Sequence, residues 1–296
     1  MDGILNVYKR KGMTSHDVVN KIRHIFKTKQ VGHTGTLDPN AEGVLVVCLN
    51  SATKLVQFLE ADTKKYRTEL IIGKSTDTYD ITGNVVESVK DFDISLDTVK
   101  EVINSFLGKQ KQIPPIYSAI KVNGKKLYDY ALKNEEVNIE ARDIEILDIK
   151  LLNDEIIKKD DYLTVCFDVT VSKGTYIRSL CFDIGQKLGI PCCMGDLLRL
   201  RSGAFEIENA KTIEEIEKGD YILKSLVESI KEIPKIDVCD NLELMHKVKN
   251  GMKISLKTFE EKYNRIAFIE KENLLAIYEE FSEEKYHYYR AVRVWK

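Results

Sequence analysis

The stretch Gly32-His33-Thr34-Gly35-Thr36-Leu37-Asp38-Pro39-Asn40-Ala41-Glu42-Gly43-Val44-Leu45 holds the residues best spaced for chemistry. Glycine and proline dictate backbone shape, so this is a loop of defined geometry rather than a slack linker. The loop runs straight into the apolar segment Val44–Leu49. A rigid loop pinned to a strand is where a reactive side chain can be held still. Asp38 lies in its middle, so the chemistry on offer is that of a positioned carboxylate. Each candidate also has a plainer reading. Asp-Pro is a common turn pair. His33 alone reads as loop packing, Tyr66 as a sheet residue, and Arg178 as a surface cation. Judged singly, the plainer reading is the better one for each.

Several other chemistries lack their motifs. Gly32-His33-Thr34-Gly35 is not followed by the Gly-Lys-Ser/Thr of a phosphate loop, and no Gly-x-Gly-x-x-Gly follows a strand. There is no H-E-x-x-H, and the five histidines are dispersed. No Gly-x-Ser-x-Gly elbow is present. The six cysteines (Cys48, Cys166, Cys181, Cys192, Cys193, Cys239) lack zinc spacing and read as reduced, mostly buried thiols. Neither a metal nor a cofactor is expected.

The elements that must position Asp38 follow from periodicity and turn signals. Gly3–Tyr8 reads as a strand, and Ser15 as the cap of a helix to about Lys27. The apolar run Val44–Leu49 is a strand, Ala52–Ala61 a helix, and Tyr66–Ile72 a strand. Thr76–Gly83 is a polar loop, Leu96–Leu107 a helix ended by Gly108, and Ile113–Ser118 extended around its two prolines. Val122-Asn123-Gly124-Lys125 is a hairpin turn, and Leu127–Leu132 begins a helix. Ile144–Leu152 and Tyr162–Val171 are strands, Tyr176–Leu188 is a helix closed by Gly189, and Leu197–Phe205 is a strand. The mixed order without a βαβ repeat favours an α+β fold with a mixed or antiparallel sheet flanked by helices. A boundary near Pro234 is expected to divide a domain of residues 1–233 from a small β-rich module of residues 234–296.

The chain has 296 residues, is 43% hydrophobic and 31% charged, and carries 45 Lys+Arg against 47 Asp+Glu, a formal charge of −2. The total does not announce a nucleic-acid partner. The distribution says more, because seven basic residues (Lys9, Arg10, Lys11, Lys21, Arg23, Lys27, Lys29) face only Asp2 and Asp17 before His33. No stretch is apolar enough to span a membrane, and the early Lys9-Arg10-Lys11 interrupts any signal peptide. A soluble cytoplasmic protein is expected.

The loop, taken with other segments in the same order, resembles the TruB family of bacterial tRNA pseudouridine-55 synthases. The matching blocks are Gly3-Ile4-Leu5-Asn6-Val7-Tyr8-Lys9, Lys65-Tyr66-Arg67, Thr76-Asp77-Thr78-x-Asp80-x-x-Gly83, and Ile113-Pro114-Pro115-x-Tyr117-Ser118-Ala119-x-Lys121. Gly124-Lys125-Lys126-Leu127-Tyr128, Ser172-Lys173-Gly174-Thr175-Tyr176-Ile177-Arg178 and Leu197-x-Arg199-Leu200 complete them. The tail is similar, more loosely, to the small β-rich PUA RNA-binding module.

The resemblance implies a pseudouridine-synthase catalytic domain (1–233) with a PUA-like RNA-binding domain (234–296), acting on uridine in the T loop of tRNA. It implies no cofactor, no metal and no obligatory protein partner, and a monomer is expected. Asp38 matches the family's catalytic aspartate, either a covalent nucleophile or a base toward the sugar. Tyr66 matches the active-site tyrosine, and Arg178 the arginine that pairs with the carboxylate. His33 matches the histidine that stacks in the RNA loop and helps hold the extruded nucleotide. Tyr176 lies two residues before Arg178, and in a locally extended segment both side chains face the same site, which makes it a substrate-binding candidate. Leu197 matches an apolar wall of the base pocket, and Asp80 a polar position at the rim. Lys9 matches a lysine near the site, and with Arg10, Lys11, Arg23, Lys27 and Lys29 it is expected to contact phosphates. The family's usual Lys-Pro-x-Gly turn reads Lys9-Arg10-Lys11-Gly12 here, without the proline. Two other readings compete: a synthase working inside a guide-RNA particle, and an RNA-binding or RNA-folding module without catalysis.

Overall fold

A computed structural model describes residues 1–59, 63–133, 135–159, 161–283 and 286–295. The continuous apolar run after the loop has a direct cause. Strand Glu42–Leu49 is buried on both faces, and such strands do not alternate. It pairs antiparallel with Gly3–Lys9 on one side and parallel with Cys192–Ser202 on the other. From there the sheet continues antiparallel through Thr63–Ile72, Tyr162–Ser172, Arg142–Leu151 and Gly108–Gln112. The sheet is therefore mixed, as expected for an α+β fold.

Helices cover the sheet where their apolar stripes require it. Helix Ile177–Leu188 buries Ile177, Leu180, Cys181 and Ile184, and helix Leu96–Asn104 buries Val99 and Ile103, all in one cluster with Leu70, Val165 and Phe167. Helix Ser15–Ile25 buries Val18, Val19 and Ile22 against Leu5, Val7, Leu45 and Val47. The C-terminal part forms a five-stranded sheet in the order Lys235–Asp237, Arg265–Glu270, Asn273–Glu283, Tyr286–Val294, Ile254–Ser255. It has its own core around Phe268, Tyr278 and Tyr289. Its Ala267, Leu274, Ile277 and Trp295 also pack with Ile4, Val44, Val46 and Cys48 of the large sheet. The Trp295 indole N–H donates to the Ser51 carbonyl at 3.0 Å, so the end of the last strand is fastened to the segment that follows strand Glu42–Leu49.

Several local expectations change. Thr14, not Ser15, caps the first helix, in a reciprocal box with Asp17. Ser15 is buried and works elsewhere, as described below. The Ala52–Ala61 helix begins as a 3₁₀ turn at Asn50–Leu55 and continues as α-helix over Val56–Leu59, and its last two residues lie outside the described residues. The Leu197–Phe205 strand starts earlier, at Cys192, and ends at Ser202. Cys192-Cys193-Met194 is thus ordinary buried strand, and a register shift between Met194 and Leu197 masks its periodicity. Strand Gly108–Gln112 and helix Leu242–Lys249 escape the sequence reading because the first is a polar edge strand and the second is short. The Asn123-Gly124 turn is as expected, with both residues at positive φ (52° and 80°). Among the described residues, no helix is long and apolar enough to cross a membrane.

Gly43 sits where the loop enters the sheet, at φ 104° and directly opposite Arg199. A Cβ there would lie 2.2 Å from the Arg199 carbonyl oxygen, which is backbone and has no room to yield. Gly43→Ala is expected to cost about 2–4 kcal/mol, from the left-handed backbone and the clash together. Urea unfolding checks this, and a loss under about 0.5 kcal/mol would show that the loop joins the sheet differently.

Candidate active site

The Asp38 loop is held almost entirely through its backbone. The Thr34 N–H donates to the Val46 carbonyl (3.1 Å), and the Gly12 N–H to the Pro39 carbonyl (2.9 Å). The Ser15 hydroxyl accepts from the Leu37 N–H (2.9 Å) and donates to the Leu37 carbonyl (3.2 Å). The Lys9 ammonium, fully buried, donates to the carbonyls of Ala41 (2.6 Å), Pro39 (3.2 Å) and Arg10 (3.2 Å). Arg199, equally buried, donates to the carbonyls of Val44 (2.7 Å), Gly35 (3.1 Å) and Thr36 (3.4 Å). The Leu37 and Ala41 side chains anchor in the apolar core on either side of Asp38. The carboxylate itself is left 41% exposed, so the grip presents it rather than consuming it.

Arg178 meets that carboxylate, Nε to Oδ2, at 3.0 Å. The arginine is 7% exposed, at the second position of the Ile177–Leu188 helix. Its two other nitrogens donate to the carbonyls of Thr78 (3.2 Å) and Tyr117 (3.0 Å). Asp80 adds a weaker approach at 3.9 Å. A guanidinium presents its donors in a rigid fork, so anchoring two of its nitrogens sets the direction of the third. The helix start is fixed in turn by Gln112, whose amide donates to the Tyr176 carbonyl (3.0 Å) and accepts from the Tyr176 N–H (2.8 Å). Asp80 is oriented by the Thr82 N–H (2.9 Å) and the Thr78 hydroxyl (3.1 Å).

These side chains surround a cavity of about 800 Å³. Asp38, Tyr66, Asp80, Tyr176, Arg178 and Leu197 all line it. Tyr66 is 7% exposed and stands on the Thr63–Ile72 strand opposite Arg199 and Val169. Burial pushes the Tyr176 phenol above its ordinary pKa, so its proton is held firmly at neutral pH. Two expected site residues are not on the walls. His33 is half-buried in the short strand before the loop, where its Nδ1 accepts the Gly35 N–H at 3.3 Å. Burial and the Arg199 charge lower its pKa. Lys9 was expected to contact phosphates; its charge points inward to carbonyls, so it supports the loop instead. Burial lowers its pKa to about 8, against the opposing pull of Asp38 and Glu42.

Sequence reasoning gave no role to Arg199, Ser15 or Gln112. Arg199 carried two signals, its place in the block Leu197-x-Arg199-Leu200 and its position between two leucines, but its partners are backbone carbonyls that no motif displays.

Comparison with known proteins matches residues 23–177 to the TruB family pseudouridylate synthase N-terminal domain. Residues 178–233 match the tRNA pseudouridylate synthase B C-terminal domain. The tRNA pseudouridine synthase B of Ligilactobacillus salivarius is 43% identical, covering 97% of each chain. That of Oceanobacillus iheyensis is 44% identical, covering 94% of this chain and 93% of the relative. Among solved structures, a Cbf5-Nop10-Gar1 complex is similar with a TM-score of 0.71 and 26% identity, covering 99% of this chain and 84% of the other. An H/ACA RNP bound to a substrate RNA containing 2′-deoxyuridine shares the fold, with a TM-score of 0.71 and 24% identity over 99% of this chain and 85% of that one.

The buried ammonium of Lys9 makes a pH prediction. Lys9 gives up its proton near pH 8 when folded, against 10.5 for the ordinary side chain. Between those values the unfolded chain binds more protons, so this group makes stability rise with pH. Relative to Lys9→Met, the wild-type chain is expected to gain unfolding free energy from pH 8 to about pH 10. A difference that stays flat or falls in paired urea titrations would contradict the buried, charged placement.

Proposed function

The chain belongs to the TruB family of pseudouridylate synthases, and from that premise we propose that it isomerises uridine to pseudouridine in the T loop of tRNA, at position 55. In this reaction the N1–C1′ bond breaks, the base turns, and a C5–C1′ bond forms. A proton leaves C5 and one is gained at N1, so no electrons are exchanged with a cofactor. The observation that carries the reading is the Asp38–Arg178 pair at 3.0 Å, presented on the wall of a cavity of about 800 Å³ by a loop gripped through its backbone.

Asp38 is the catalytic carboxylate. It acts either by adding to C1′ as a nucleophile or by taking a proton from the sugar, and both routes need the same orientation from Arg178. Tyr66 and Tyr176 supply aromatic faces for the base, and Leu197 an apolar wall that excludes water. Tyr66 is also proposed to hand over or accept a proton late in the reaction. A uridine inside a folded loop must be flipped out before it can enter such a cavity. Exposed Lys11, Lys126 and Arg142 at the cavity supply cations for the flanking phosphates, a contact that weakens with salt. His33, in the strand leading into the loop, is proposed to stack against the RNA beside the extruded nucleotide. The C-terminal sheet is proposed to add RNA contact as a PUA-like domain of residues 234–296.

A guide-RNA-dependent reading draws on the likeness to the Cbf5 and H/ACA structures. The stand-alone reading rests on the relatives at 43–44% identity, each named as a tRNA pseudouridine synthase. The purified chain with an unmodified tRNA transcript separates them. Carbodiimide adducts read by primer extension are expected to show one new stop in the T loop. Tight binding without a stop would favour a guided or non-catalytic role.

Asp38→Asn is expected to lower the isomerisation rate at least about 1,000-fold while tRNA affinity changes less than about threefold. Substantial turnover in that variant would remove Asp38 from the mechanism. Arg178→Lys keeps the charge but loses the fork that ties Asp38 to the Thr78 and Tyr117 carbonyls. Its kcat is expected to fall about 100-fold with little change in KM. An equal rise in KM would make Arg178 a binding residue instead.

A further inference from the structure

The polar loop that anchors Arg178 carries a residue whose type its turn does not explain. Tyr79 sits between Thr78, whose carbonyl accepts from Arg178, and Asp80, whose carboxylate approaches the same guanidinium. Thr78, Asp80, Ile81 and Thr82 line the cavity, and Tyr79 does not. Its backbone is left-handed, at φ 63°. That conformation is costly for a bulky side chain. Glycine or asparagine would hold the same turn with less strain, so it is the ring that the position asks for. Strain of this kind persists where the surrounding structure enforces it, and it clusters at functional sites.

The ring has a specific seat. It stacks on Phe182, with centroids 4.2 Å apart and planes 16° from parallel. Phe182 follows Arg178 by four residues in helix Ile177–Leu188, so the two side chains share one helix face, a turn apart. Consecutive loop residues therefore meet the helix at two points, the Thr78 carbonyl at Arg178 and the Tyr79 ring at Phe182. The stack joins loop to helix without passing through the guanidinium. The left-handed residue also sets the angle between two peptide planes with different tasks. The Thr78 carbonyl faces Arg178, whereas the Tyr79 carbonyl accepts from the Met194 N–H of the sheet (2.9 Å). The Ile81 N–H in turn donates to the Met194 carbonyl (2.8 Å). The loop is stiff within itself, because the Thr76 hydroxyl donates to the Asp80 carbonyl (2.6 Å) and the Thr82 N–H to the Asp80 carboxylate (2.9 Å). A stiff loop docks as a unit, so a shift at Tyr79 moves Thr78 and Asp80 together.

We infer that Tyr79 is a positioning residue for the reaction: its stack on Phe182 sets where the Thr78 carbonyl and Asp80 meet Arg178, and so where Arg178 holds Asp38. The inference rests on the reading of Asp38 and Arg178 as the reacting pair. Plain packing would need neither an aromatic at a left-handed position nor a partner one turn from Arg178. The leverage is large, because misplacing a reacting group by about 1 Å can cost about 100-fold in rate.

The experiment compares wild-type, Tyr79→Phe, Tyr79→Asn, Phe182→Leu and the double variant Tyr79→Asn/Phe182→Leu on an unmodified tRNA transcript, with urea unfolding of each. Asparagine accepts positive φ, so Tyr79→Asn removes the ring without adding backbone strain. Its kcat is expected to fall about 10- to 50-fold with KM within about threefold of wild type. Tyr79→Phe keeps the ring and is expected to hold kcat within about twofold. Phe182→Leu breaks the stack from the helix side and is expected to lose at least about fivefold in kcat. The double variant is expected to fall no more than about twofold below the weaker single, because both changes remove one contact. Wild-type kcat in Tyr79→Asn, an equal loss in Tyr79→Phe, or additive losses in the double variant would each overturn the inference. So would a rise in KM alone, which would make the loop an RNA contact. If Tyr79→Asn does not unfold cooperatively, Phe182→Leu decides: a wild-type kcat there overturns the inference. Failure of the wild-type chain to convert uridine would instead refute the reading of the site, and the inference with it.

Discussion

Two buried cations that bond to backbone carbonyls are the constraint on which the site depends. Lys9 and Arg199 are each at most 1% exposed and enter no ion pair among the described residues. Six loop and turn carbonyls take up their donors. Burying a charge is costly unless its hydrogen bonds are made, and here they are made only if Gly35, Thr36, Pro39, Ala41 and Val44 all present their carbonyls inward. That requirement fixes the loop backbone on both sides of Asp38. Cations bonded to neutral carbonyls also leave Asp38 free for Arg178, which carboxylate partners would not have done so cleanly.

The second half of the site is assembled from distant segments. Arg178 belongs to a helix, Thr78 to a polar loop, Tyr117 to a bend over residues 116–119 that replaces the extended chain expected after Pro114 and Pro115, and Gln112 to the edge strand before it. Each contact is an ordinary hydrogen bond worth about 1 kcal/mol net. Their combined effect is geometric, because a planar guanidinium anchored at two nitrogens has one direction left for the third. The ion pair at 3.0 Å is therefore set by the meeting of the helix with two loops, not by the loop that carries Asp38.

The large sheet and the C-terminal sheet share an apolar cluster that includes Val44, Val46 and Cys48 of the strand following the Asp38 loop. The same strand faces the first helix through Leu45, Val47 and Leu49. A strand buried on both faces cannot shift register without exposing one whole face. The C-terminal sheet thus contributes to holding the strand that holds the loop.

Much of this was readable from residue order. The loop of Gly32–Gly43, the strand behind it, most helices and the α+β class follow from glycine, proline and apolar spacing, which act locally. The matching blocks also picked out Asp38, Tyr66, Asp80, Tyr176, Arg178 and Leu197, and all six line one cavity. The sequence could not say that Lys9 faces inward, because a lysine in a basic run looks the same whether its amine meets phosphate or carbonyl. It could not assign Arg199, Ser15 or Gln112, because their partners are backbone atoms, which every residue type presents alike. Local chemistry determined what the side chains can do. Only the tertiary structure decided which of them were buried, and burial is what turned two cations into a clamp on the Asp38 loop.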